Sequence, residues 1–128
     1  MKTIIQNYEI KAPIEKVWEA LISPEEIEKW GAGPAEMDSS EGTKFSLWGG
    51  DIYGTNIEVE PYQKLVQEWY GGKWEEPSIL TIKLQKAGNT TKIELLHENV
   101  PDAEYKDIEQ GWKDYYIGPL KDYVEKSL

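Results

Sequence analysis

The sequence predicts an α+β domain in which a curved antiparallel sheet is covered by one long C-terminal helix. Three observations carry this. From Phe45 to Leu96 apolar residues recur at every second position, the period of half-buried strands. The segments between them are short and rich in glycine, proline and asparagine, which leaves no room for crossover connections and favours an antiparallel meander. After Pro101-Asp102 the pattern becomes helical to about Lys126, a length of about 37 Å that spans a small sheet.

In chain order, Ile4, Tyr8 and Ile10 alternate with polar residues over positions 3–11, the pattern of a first strand. Pro13 is expected at the first position of a helix whose apolar face is Ile14, Val17, Trp18 and Leu21. Ser23-Pro24-Glu25-Glu26 reads as a capping box with proline at the first helical position, so a second short helix runs from Pro24 to about Trp30. Gly31-Ala32-Gly33-Pro34 ends that unit. Strands are expected around Phe45 and Leu47 and over 52–59, 65–70, 79–84 and 91–96. Gly49-Gly50, Pro61-Tyr62, Gly71-Gly72 and Gly88-Asn89 supply the turns between them. Asp102 is expected to cap the long helix. Within that helix Gly111 costs about 1 kcal/mol relative to alanine, so it marks a close approach or open space beside the helix.

Composition bounds the function. The 128 residues form one expected domain, 1–128, large enough to bury about two-thirds of its unfolded surface. No apolar stretch is long enough to span a membrane, and the N-terminal residues lack the apolar core of a signal peptide; a cytoplasmic location is the expectation. The absence of cysteine removes disulfides and thiol chemistry. A net charge of -10 argues against nucleic acid. All 14 basic residues are lysines, so no guanidinium fork is available to clamp a carboxylate or phosphate.

The order of elements is carried by specific segments: Ala12-Pro13-Ile14-Glu15-Lys16-Val17-Trp18-Glu19-Ala20-Leu21, Ser23-Pro24-Glu25 with Trp30, and Gly42-Thr43-Lys44-Phe45-Ser46-Leu47-Trp48-Gly49-Gly50 with Ile52 and Gly54. Pro61-Tyr62-Gln63-Lys64-Leu65-Val66-Gln67-Glu68-Trp69 follows, then Val100-Pro101, Gly111-Trp112, Tyr115-Tyr116 and Pro119-Leu120-Lys121. Together they resemble the START-like helix-grip superfamily, and within it the family related to the C-terminal domain of the Hsp90 ATPase activator. The resemblance implies a six- or seven-stranded antiparallel sheet wrapped around the C-terminal helix, with two short helices after the first strand and a cavity between sheet and helix. Its members include small-molecule binders, cyclases and chaperone cofactors, so the fold alone does not choose among them.

Six tryptophans and eight tyrosines accompany a single phenylalanine. Such rings have apolar bodies and polar tips, which suits a pocket that is both apolar and orienting. On the long helix Ile108, Gly111, Trp112 and Tyr115 share one stripe, and Tyr116, Leu120, Tyr123 and Val124 a neighbouring one. His97, the sole histidine, alternates with Ile93 and Leu95 and is expected on the concave side as a hydrogen-bonded structural residue; with no cysteine it cannot make a zinc site. Glu58, Glu60, Glu94 and Glu98 fall on the opposite, convex face. Glu68, beside Trp69, is an acid–base candidate if it points inward. The glycine pairs open no helix and precede no Lys-Ser/Thr pair, which excludes a phosphate loop.

These readings converge on a non-enzymatic binder of a largely apolar small molecule, held between sheet and helix by Trp48, Trp69, His97, Trp112, Tyr115 and Tyr116, without metal or cofactor, as a monomer or homodimer. One alternative is a stress-response module that binds and stimulates an Hsp90-type chaperone. A further alternative is a cyclase or hydrolase using Glu68 or His97 with tyrosine hydroxyls.

Overall fold

Alternating apolar residues build one sheet that curves over the C-terminal helix. The computed structural model describes residues 1–127. Its strands are β1 (Lys2–Ile10), β2 (Lys44–Leu47), β3 (Ile52–Glu60), β4 (Lys64–Gly71), β5 (Ser78–Ala87) and β6 (Thr90–Val100). They lie in the order β1-β6-β5-β4-β3-β2 with every neighbouring pair antiparallel, so the sheet has six strands. Strand β6 runs past the expected end at 96. Glu98 still pairs with Ile79 of β5, and Val100 with Lys2 of β1, which places His97 well inside the sheet.

Two short helices follow β1. Helix α1 (Ile14–Ile22) buries Val17, Trp18, Ala20 and Leu21, while Ile14 is half-buried. Pro13 sits one residue earlier than expected: it is the extended residue before the helix, and its carbonyl accepts from the amides of Lys16 and Val17 at 3.0 and 3.2 Å. Helix α2 (Pro24–Trp30) starts as the capping pattern predicts, with Ser23 Oγ accepting from the Glu26 amide at 3.5 Å. Only half the box forms, because the Glu26 carboxylate takes the Tyr123 hydroxyl instead and the Ser23 amide donates to Glu19.

The C-terminal helical stretch is continuous in direction but not in type. A 3-10 turn (Asp102–Glu104) leads into α3 (Tyr105–Gly111), a π-helical segment (Trp112–Ile117) and α4 (Gly118–Lys126). Asp102 does not cap it; its carboxylate pairs with the Met1 ammonium at 2.9 Å. The π segment has a cause in the sequence. Pro119 has no amide hydrogen, and in a regular helix its ring would press on the Tyr115 carbonyl. The ladder slips by one residue, and the Gly118 amide reaches back to the Lys113 carbonyl. Gly118 is required there: a β-carbon at this position would lie 2.2 Å from the Lys113 oxygen.

The core lies between the concave face and these helices, with Ile10, Leu21, Ile27, Leu65, Leu80, Ile82, Ile117 and Leu120 fully buried. On β3 the alternation breaks. A bulge between Asn56 and Glu58 leaves Ile57 as the unpaired extra residue, 46% exposed. Strand β4 alternates without interruption: Leu65, Gln67 and Trp69 are buried, and Glu68 belongs to the outward set. Glu68 therefore stands on the convex face, away from the aromatic residues of the interior.

A candidate binding groove under the C-terminal helix

Period-two strands and the helix bring the rings together. Trp69 from β4 and His97 from β6 point to the concave side, and Trp112 and Tyr116 descend from the helix onto them. Trp69 and Trp112 stack with centroids 4.9 Å apart at 29°. His97 meets the edge of each, at 5.4 Å from Trp69 and 5.6 Å from Trp112. Tyr116 lies 4.7 Å from Trp112 and 4.9 Å from Trp30, and Trp48 meets it edge-on at 6.4 Å. Five of the six anticipated residues thus form one continuous ring cluster. Tyr115 is apart from it, 68% exposed, because the helix turns Trp112 and Tyr116 inward together.

Hydrogen bonds fix these rings and settle the state of His97. The Ser78 hydroxyl donates to the Trp69 carbonyl at 3.1 Å, so toward His97 Nε2, 2.7 Å away, its oxygen acts as acceptor. Nε2 therefore carries the hydrogen. Nδ1 accepts the Trp112 indole N–H at 3.1 Å, and an indole is a donor only. A second proton on Nδ1 would face a donor, and burial pushes the imidazole from its ordinary 6.5 to about 4. Ser78 and His97 form no catalytic dyad: both are fully buried, and the group behind His97 is a donor instead of the carboxylate such chemistry needs.

A second chain of polar groups lies beside the first. Trp69 Nε1 donates to Gln67 Oε1 at 2.8 Å, Gln67 Nε2 to Asn56 Oδ1 at 2.8 Å, and Asn56 Nδ2 to the Asp38 carbonyl at 3.1 Å. Asn56, Gln67 and Ser78 are all fully buried and absent from the sequence expectations. Their signal was present in the alternation. Gln67 is two residues from both Leu65 and Trp69, and Ser78 two from Leu80, so each shares the inward set.

The interior that these groups occupy is filled by rings. Beside these rings lies an open groove of about 190 Å³ on one side of the helix, lined by Trp48, Ile52, Trp69, Ile108, Gly111, Trp112, Tyr115 and Tyr116, with Asp107 at its edge. His97 lies behind this wall with both nitrogens committed, so it does not reach the groove as a ligand-orienting residue. Glu68 is on the far face of the sheet, which separates it from His97 and the tyrosines. Trp48 closes one side in a left-handed conformation, φ 49°, held by its amide donating to the Ala32 carbonyl at 2.8 Å and its indole to Gly31 at 3.2 Å. A non-glycine residue in that region is strained and persists only where its surroundings over-determine it. Gly111 opens the floor: a β-carbon there would meet only the Tyr115 ring at 3.7 Å. Among the described residues no three histidine, aspartate or glutamate side chains converge as metal ligands, and no helix is long and apolar enough to cross a membrane.

A six-stranded sheet gripping a π-turned C-terminal helix defines an α+β helix-grip domain of the START-like kind. The chain belongs to the Activator of Hsp90 ATPase homolog 1-like protein family, whose model matches residues 11–125. Over 123 residues it is 27% identical to an activator of 90 kDa heat shock protein ATPase homolog from Dictyostelium discoideum, covering 94% of this chain and 32% of that one. The chain spans about a third of the length of the curated relatives it matches. The crystal structure of an HSP90 activator from Plasmodium falciparum superposes with a TM-score of 0.89 at 24% identity, covering 98% of this chain and 97% of that one. The Aha1 dimer from Colwellia psychrerythraea superposes with a TM-score of 0.83 at 21% identity, over 98% and 97% of the two chains.

Proposed function

We propose that the domain is a non-enzymatic binding module that holds a flat apolar group of one or two rings in the groove beside Gly111. The observation that carries this is Gly111 itself. Its backbone is ordinary right-handed helix, φ -62° and ψ -33°, and outside the helix's own backbone a β-carbon would meet only the Tyr115 ring. Alanine would be more stable there by about 0.5–1 kcal/mol. A glycine that stands against local propensity, on the floor of an apolar groove, is accounted for by the space it leaves.

Size narrows the occupant. An apolar cavity of about 150 Å³ takes benzene, while drug-sized pockets begin at about 300 Å³. A groove of about 190 Å³ suits one or two rings and not a sterol or a fatty-acid chain. Family membership favours one source for such a group, an apolar side chain presented by a cytoplasmic Hsp90-type chaperone.

Tryptophan fluorescence and thermal unfolding in the presence of indole, naphthalene, cholesterol or palmitate test the reading. The two ring compounds should quench and stabilise, reaching roughly 2.7 kcal/mol at about 100 times the dissociation constant. Gly111→Leu should remove the response while the fold persists. Equal responses in wild type and Gly111→Leu, or none at all, would sink it. Capture of a purified Hsp90-type chaperone by wild type but not by Gly111→Leu would assign the source.

A further inference from the structure

We infer that the groove is selective for a cationic ring compound, an aromatic ammonium, over its neutral counterpart. This rests on the reading of the groove as a binding site and adds the charge of what it takes. The first observation is where the indole N–H groups go. Trp112 spends its hydrogen on His97, Trp69 on Gln67, and Trp48 on the Gly31 carbonyl. The three tryptophans that line the groove therefore offer it ring surface and no N–H donor. No lysine lines it, so nothing there neutralises an anion. The remaining polar functions are the Tyr115 and Tyr116 hydroxyls and the carboxylate of Asp107.

Ring faces carry negative quadrupole density and attract a positive group. Asp107 is exposed at the groove edge, in the first turn of α3, and is its one formal charge. A ligand with its rings against Gly111 and its ammonium toward Asp107 meets both. The net charge of -10 acts in the same direction by raising the local concentration of cations. An anionic or hydrogen-bond-accepting ligand would lose its hydration and find only the two phenols as donors.

Tryptamine and tryptophol differ only in ammonium against hydroxyl and are the probes of choice. At pH 7 and low salt tryptamine should bind about fivefold more tightly, from a cation–π contact and one exposed ion pair. In Asp107→Asn the ratio of the two affinities should fall toward one, and in Asp122→Asn, a carboxylate on α4, it should not change. Raising the salt should reduce the ratio in the wild type. Equal binding of both probes overturns the inference and leaves the groove intact as a site. A ratio that survives Asp107→Asn unchanged overturns the role given to Asp107. No binding of either probe removes the groove reading itself, and this inference with it.

Discussion

Trp112 donates its indole N–H to Nδ1 of His97 across 3.1 Å, and through this bond the C-terminal helix dictates the tautomer of a residue on β6. The helix packs on the sheet, and it also closes the one position at which the imidazole would take up a second proton.

Stability should therefore depend on pH through His97. Its folded value of about 4 lies below the ordinary 6.5. Between these values the unfolded chain binds a proton that the folded chain refuses. The stabilisation is complete above pH 6.5, declines as pH falls toward 4 and levels off below, by about 3 kcal/mol in all. In His97→Gln this share of the pH dependence should vanish. Urea unfolding of both proteins at half-unit steps from pH 3.5 to 7.5 isolates it from the carboxylates.

The two glycines of the long helix should respond in opposite directions to alanine. Gly111→Ala should raise stability by about 0.5–1 kcal/mol while weakening ring binding. Gly118→Ala should cost about 2 kcal/mol or more, because its β-carbon would lie 2.2 Å from the Lys113 carbonyl oxygen. Denaturant midpoints of the two variants decide this, and an equal loss in both would contradict the open space at Gly111.

Gln67→Leu should destabilise by about 2–3 kcal/mol although it adds apolar volume to a buried site. It strands the Trp69 indole hydrogen and the Asn56 side chain, both of which Gln67 satisfies at 2.8 Å. A change under half a kcal/mol in urea unfolding would show that the polar chain beside Trp69 is dispensable.

Ile57→Thr should be nearly silent, within about 0.5 kcal/mol, because the bulge places Ile57 outside the core. Counting back by two from Val59, which pairs with the buried Leu65, would have put Ile57 in the core and predicted a loss typical of a buried isoleucine.

That contrast shows what was legible in the residues. His97 was placed correctly because β6 is uninterrupted, and period two carries from Ile93 through Leu95 to it. The order of elements and the six-stranded sheet with its covering helix follow from turns and periodicity in the same way. Ile57 lies between the inward Asn56 and the outward Glu58, where the bulge breaks period two, so counting by two does not place it. The face of the long helix was ambiguous between stripes containing Tyr115 and Tyr116, because a heptad-like reading assumes one pitch throughout. The cue was Gly118-Pro119, whose ring forbids that pitch. Ser78, Gln67 and Asn56 were not singled out, because an uncharged polar residue in the inward set leaves no apolar mark.

The wide turn at Trp112–Ile117 also ties the length of this helix to its proline. Each residue of a regular helix advances it by about 100°. The wide turn takes up one residue more than a regular turn for nearly the same rotation, so deleting one residue from Lys113 to Tyr115 would leave α3 facing much as before and set the Pro119 ring against the carbonyl four residues earlier. Trp112 would still meet His97, and the cost would fall on the turn before Pro119 instead of on the groove. Homologous chains that keep the proline should keep the residue count of this stretch as well.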